Sequence, residues 1–144
     1  MKSQKFKIQE LVPLKVYNLL HEDALWRIFD DKLLMSIDTI KEKFPKGSIS
    51  INTWYWNGDR NQSGLRTKDS KYFSKGSQHS IGNAVDMVFS AYKTEDVRNY
   101  ILEHQDEFPH ITRIEKAGWL HVDIRPTDSD KIVMFDTNGV RVIY

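Results

Sequence analysis

Cysteine is absent from the 144 residues. That removes disulfides, thiolate catalysis and every cysteine-based zinc or iron–sulfur site. Any metal must be held by histidine, aspartate or glutamate. No stretch approaches the ~18–20 apolar residues that a membrane span needs. Gln4, Gln9, Glu10, Lys15 and Asn18 interrupt the N-terminal segment MKSQKFKIQELVPLKVYNLL, so no secretory signal peptide is expected there. A dominant charge is missing too. Lys and Arg total 21 against 20 Asp and Glu, a net charge of +1. That balance argues against nucleic acid or an anionic membrane as the main partner. The lack of cysteine fits a chain made in the cytoplasm.

What is present is ordinary globular composition, with 40% hydrophobic and 28% charged residues. The length suits one domain over residues 1–144, able to bury roughly 68–70% of the surface its unfolded chain exposes. Residues from about Pro13 to Phe29 read as helical, with Pro13 in a first turn. Leu33, Leu34, Ile37, Ile40 and Phe44 recur at three- and four-residue steps and form one apolar helix face, ended by Pro45 and Gly47. The helical part thus covers about residues 1–47. Ser48–Trp54 alternates as a strand, with Ile49, Ile51 and Thr53 on one face. Residues from about Trp54 to Gly76 show no period, yet carry Trp54, Tyr55, Trp56, Tyr72 and Phe73. Loops this long are uncommon in compact domains and often functional.

Ala84–Phe89 reads as a buried strand, and Thr94 as the cap of a helix reaching about Phe108. Ile111–Glu115 and Trp119–Arg125 read as a strand pair. Lys131–Asp136 and Val140–Tyr144 flank Thr137-Asn138-Gly139, a hairpin turn signal. Helices first and strands later predict an α+β fold with a mainly antiparallel sheet and helices packed on it.

Three segments carry residues suited to chemistry: Ser63-Gly64-Leu65-Arg66, Ser77 to Asp86, and Glu115 to Asp123. Catalytic zinc takes three ligands from histidine and carboxylates and keeps a fourth position open. His79, Asp86 and His121 could supply such a set. Alternation puts Trp119, His121 and Asp123 on one strand face, with Leu120, Val122 and Ile124 toward the core. Taken singly, His121 also reads as a hydrogen-bonded core or rim histidine, and Asp86 as a turn or capping carboxylate. His21, His104 and His110 stand outside these segments, with His104 expected to be solvated on its helix and His110 nearest the Glu115 strand.

The pattern S77-Q-H79-S-I-G82-N-A84-V-D86, followed by W119-L-H121, resembles the zinc D-alanyl-D-alanine carboxypeptidase group. That group includes VanY-type enzymes and phage L-alanyl-D-glutamate endolysins, and shares its domain with hedgehog signalling proteins. The matched core runs over about residues 63–125. The resemblance implies a hedgehog/DD-peptidase-like fold and Zn2+ held by His79, Asp86 and His121. It implies a zinc metallopeptidase acting on peptidoglycan peptides, either as a carboxypeptidase or as an endopeptidase. Many members carry an acidic residue three positions before the last histidine. Here that position is Gly118. The hedgehog-like version places a glutamate six positions before it, where Glu115 stands. Glu115 is therefore the expected base, with Asp123 as the alternative base or as an orienting partner.

Arg66 matches the S-G-x-R segment of the group, which implies a catalytic, substrate-binding guanidinium, with Arg60 a weaker candidate. Ser77 and Gln78 would shape the loop before His79, and Trp119 would line the site. Without a signal peptide, the enzyme would reach the wall after lysis, holin release or virion delivery. The alternative is a zinc-stabilised binding or structural module, such as a phage virion or tail component. A metal-free scaffold is the third reading. The oligomeric state is not legible.

Overall fold

The computed structural model describes residues 1–142. Four helices are introduced in chain order: α1 (Leu14–Tyr17), α2 (Glu22–Trp26), α3 (Asp31–Lys43) and α4 (Thr94–Glu103). Six strands follow the same convention: β1 (Ile49–Ser50), β2 (Ala84–Phe89), β3 (Arg113–Lys116), β4 (Leu120–Asp123), β5 (Val133–Asp136) and β6 (Arg141–Val142). They form one sheet in the order β1-β2-β4-β3-β5-β6. The class is α+β. No helix among the described residues is long and apolar enough to cross a membrane.

The sheet is mixed and, as expected, mainly antiparallel. β3 and β5 run parallel, and the other neighbouring pairs run antiparallel. The reason is positional. β4 ends at Asp123 beside Arg113, and β5 begins at Val133 beside the same Arg113, so β5 runs in the direction of β3. The β5–β6 hairpin closes over Thr137-Asn138-Gly139, with Gly139 at φ +79° and Asp136 Oδ1 accepting from the backbone N–H groups of Asn138 and Val140. A three-residue hairpin loop needs this left-handed glycine position. The expected strand over Val140–Tyr144 is seen at Arg141–Val142, and residues 143 and 144 lie outside the described residues.

α3 is the main core helix. Asp30 caps it by accepting from Lys32 N, and Lys41 and Lys43 sit in its last turn near the negative end of the helix. Leu33, Leu34, Ile37 and Ile40 are fully buried, each worth about 1.5–3 kcal/mol on burial. They join Val85, Met87, Ile114, Leu120, Val122 and Met134 from one face of the sheet.

Several expected boundaries shift. The helical stretch from Pro13 to Phe29 is two short helices. Leu19 and Leu20 are exposed between them, and His21 restarts the helix by accepting from Asp23 N. The Ser48–Trp54 strand is only Ile49–Ser50, because Asn52 N turns to Glu10 O and Thr53 N to Arg60 O. Thr94 is the first residue of α4 and Lys93 holds the cap position without a side-chain bond. The helix stops at Glu103, short of Phe108. His104 leaves helical geometry, donates Nδ1–H to Tyr100 O at 2.9 Å, and stacks on the Tyr100 ring. It is half-buried, not solvated.

Candidate metal centre

Strand register assembles the site. On the sheet face opposite the core, Asp86 of β2 lies beside His121 of β4, His121 beside Glu115 of β3, and Glu115 beside Phe135 of β5. The next row on the same face holds Ala84, Asp123, Arg113 and Val133. Period-2 alternation thus delivers four side chains, separated by up to about fifty residues in sequence, to one line across the sheet.

His79 arrives from outside the sheet. It sits in a 3-10 turn, Gln78–Ile81, capped by Ser77 Oγ accepting from His79 N. Gly82 then takes φ +73° and lets the chain enter β2, where a Cβ would lie 2.2 Å from Ile28 O. Ser77 is thus a cap and shows no nucleophile's triad. The segment from Gln62 to Arg66 braces the ligands. Ser63 O accepts from Asp86 N at 2.8 Å, Arg66 N donates to His79 O at 3.1 Å, and Gly64 O lies 2.9 Å from His79 Nδ1. Asn52, fully buried, holds that segment by accepting from Ser63 N at 2.9 Å.

The hydrogen bonds decide the tautomers. A carbonyl only accepts, so His79 Nδ1 carries the proton toward Gly64 O and Nε2 keeps a lone pair. His121 Nε2 lies 3.0 Å from Asp123 Oδ2, so that nitrogen is the donor and Nδ1 keeps a lone pair. His79 Nε2, His121 Nδ1 and Asp86 Oδ1 then face one another at 3.2, 2.8 and 3.3 Å. Three electron-pair donors at these distances need a positive charge among them. A tetrahedral cation bound at about 2.0–2.1 Å has ligand–ligand edges of about 3.3–3.4 Å; the two separations from His79 come near that, the His121–Asp86 one is shorter, and the group could hold a metal ion.

A proton competes for the same place. Burial opposes protonation of His121, but its hydrogen bonds to Asp123 and Asp86 outweigh that and raise it to about 9 in the metal-free protein. Burial likewise opposes ionisation of Asp86, and the hydrogen bonds and charges of His121 and His79 hold it well below the carboxylate range.

Glu115 Oε2 is 3.9 Å from His121 Nδ1. Burial raises its carboxyl above the ordinary value; His121 opposes the rise and the Asp86 charge adds to it. Asp123 stands on the far side of the His121 ring. It is buried, bonded to His121 Nε2 and to Arg125 N, which makes it an orienting group and not a proton acceptor facing the ligand atoms.

Arg66 lies beside the cluster and lines the same cleft. Its Nη2 holds Asp86 Oδ2 at 3.0 Å and its Nε donates to Gln62 O, because the Gln62–Arg66 segment lies against β2. Its Nη1 has no hydrogen-bond partner among the described residues. Arg60 donates to Ser50 Oγ. His110 lies in a separate groove with Asp38 and Glu42, and does not reach the site.

Arg66, His79, Asp86, Glu115, His121 and Asp123 line an open cleft of about 860 Å³, with Tyr72 and the exposed Trp119 on its walls. Trp54, Tyr55 and Trp56 do not line it. Arg113 and Phe135 are among the cleft residues that escape the sequence reading. Arg113 alternates with Glu115 and so was readable from period 2; Phe135 depends on the β3–β5 register and has no local signal. No family model matches the chain, and neither a curated protein nor a solved structure does.

Proposed function

We propose that this protein is a zinc-dependent peptidase that hydrolyses bonds of bacterial peptidoglycan stem peptides or cross-links. In this reading it is made in the cytoplasm and acts on the wall after lysis, holin release or virion delivery. One observation carries the chemistry: three lone pairs converge beside a carboxyl with a raised pKa, inside an open cleft. The substrate class rests on the resemblance of the His79–Asp86 and Trp119–His121 segments alone. Two imidazoles favour zinc over magnesium or calcium, which prefer all-oxygen sets.

His79, Asp86 and His121 would hold the zinc, which when bound would supply Lewis acidity and lower the pKa of a water toward ~7. Glu115, 3.9 Å from His121 Nδ1, would take a proton from the attacking water as its oxygen bonds to the peptide carbonyl carbon, and pass it to the leaving amine nitrogen as the C–N bond breaks. Arg66 keeps Asp86 aimed, and its unpartnered Nη1 is free to donate to a substrate carbonyl or carboxylate oxygen. The walls at Trp119 and Tyr72 orient the peptide.

A second reading, a zinc-stabilised binding or structural module, is favoured by Gly118. It stands where many members of the resembled group carry an acid, with nothing within 4 Å of its Cβ position. Mass spectrometry of purified peptidoglycan digested with the zinc-loaded chain separates the two. Chelator-sensitive fragments support the peptidase and their masses name the bond. No cleavage of Gram-negative or Gram-positive walls by protein shown to hold one zinc supports the module.

A further inference from the structure

We infer that Arg113 and Phe135 are positioning residues that clamp the His121 imidazole as a metal ligand. This inference rests on the metal-centre reading and is independent of the peptide substrate. Four contacts form a closed circuit. His121 Nε2 meets Asp123 Oδ2 at 3.0 Å. Asp123 Oδ2 lies 3.6 Å from Arg113 Nη1. The Arg113 guanidinium lies over the Phe135 ring, 4.1 Å from its centroid. The Phe135 ring meets the His121 ring edge to face, 5.7 Å apart at 83°.

Each contact removes a different freedom. The Asp123 hydrogen bond fixes which nitrogen carries the proton and the direction of the ring axis. It leaves the ring able to rock about that axis, and the Phe135 ring blocks this. Asp123 is 1% exposed, and a buried carboxylate needs a compensating charge. Arg113 contributes a permanent one, its Nη1 3.6 Å from Asp123 Oδ2, beside His121, which is charged only when protonated. Arg125 contributes a backbone N–H to Asp123 and directs its Nη2 to Gly76 O. A planar guanidinium can face a carboxylate and lie on an aromatic ring at once, which an ammonium does less well. β3 therefore carries Arg113 and Glu115 two residues apart on one face, and β5, beyond the segment that carries the family resemblance, completes the ligand's surroundings.

The test uses the full chain with Arg113→Met, Arg113→Lys and Phe135→Leu. Zinc affinity is read by competition with a chromophoric chelator, and ligand geometry by the visible spectrum of the cobalt(II)-substituted protein. Arg113→Met and Phe135→Leu are expected to weaken zinc binding by about 10–100-fold and to change the cobalt spectrum. Arg113→Lys, which keeps the charge but stacks less well on Phe135, is expected to fall between Arg113→Met and wild type in affinity. If Arg113→Met does not fold, Phe135→Leu and Arg113→Lys decide. Lowered stability with wild-type zinc affinity and cobalt spectrum marks a merely structural role and overturns the assignment. A wild-type chain that takes neither zinc nor cobalt overturns the metal centre together with this clamp. Zinc binding without wall-peptide cleavage overturns only the peptidase.

Discussion

Gly64→Ala is the most informative single substitution, because one methyl group tests how the site is braced. A Cβ built on Gly64 lies 2.1 Å from Leu11 O, with the Leu11 carbonyl carbon and Cα at 2.8 and 2.9 Å. Real Cβ contacts essentially never fall under 3.0 Å, so backbone must separate from backbone by at least about 0.9 Å. Two hydrogen bonds depend on that approach. Leu65 N donates to Leu11 O at 2.8 Å, and His79 Nδ1 donates to Gly64 O at 2.9 Å. Overpacking costs about 1–3 kcal/mol and each lost hydrogen bond about 0.5–1.5 kcal/mol, giving ~4 kcal/mol in all. For a domain of this size that lowers Tm by roughly 8–16 °C. Losing the partner that fixes the His79 tautomer should also weaken zinc by about 10–100-fold. Differential scanning calorimetry and a zinc competition titration read the two effects. Gly118→Ala, with open space at its Cβ, is the control and should match wild type in both. A Gly64→Ala protein with wild-type Tm and zinc affinity would refute the bracing argument.

Three further outcomes are expected. Zinc at one hundred times its Kd should stabilise the chain by about 2.7 kcal/mol, raising Tm by roughly 5–11 °C, and a chelator or Asp86→Ala should abolish that gain; equal melting with and without zinc counts against the metal centre. Glu115→Gln should keep one zinc by elemental analysis and lose about 10²–10⁴-fold in turnover of wall peptides, whereas wild-type turnover removes Glu115 as the base. In the metal-free protein His121 is raised from 6.5 to about 9, so its contribution to stability is fully present below pH 6.5 and is lost as pH rises through about 9. Urea unfolding across that range should show the decline, and His121→Gln should flatten it; a wild-type midpoint that holds or rises from pH 6.5 to 9 contradicts the assignment.

Much of the candidate site was legible because it depends on residue type and alternation. The absence of cysteine restricted ligands to histidine and carboxylates, and period 2 placed His121 and Asp123 on the face opposite Leu120 and Val122. The α3 stripe was equally readable, since Leu33, Leu34, Ile37 and Ile40 follow the helical period. Boundaries fared worse where a side chain competes with regular backbone. His104 ends α4 by turning onto Tyr100, and His21 restarts a helix that hydropathy alone would have continued.

The sequence by itself determined which residues have metal-binding chemistry, which strand faces they share, and where glycine permits the chain to turn. Only the tertiary structure decided their partners. Arg66 binds Asp86, Asp123 binds the outer nitrogen of His121, and Phe135 reaches the site through a parallel pairing with β3. Register between strands distant in the chain comes from global packing, and local periodicity carries no record of it.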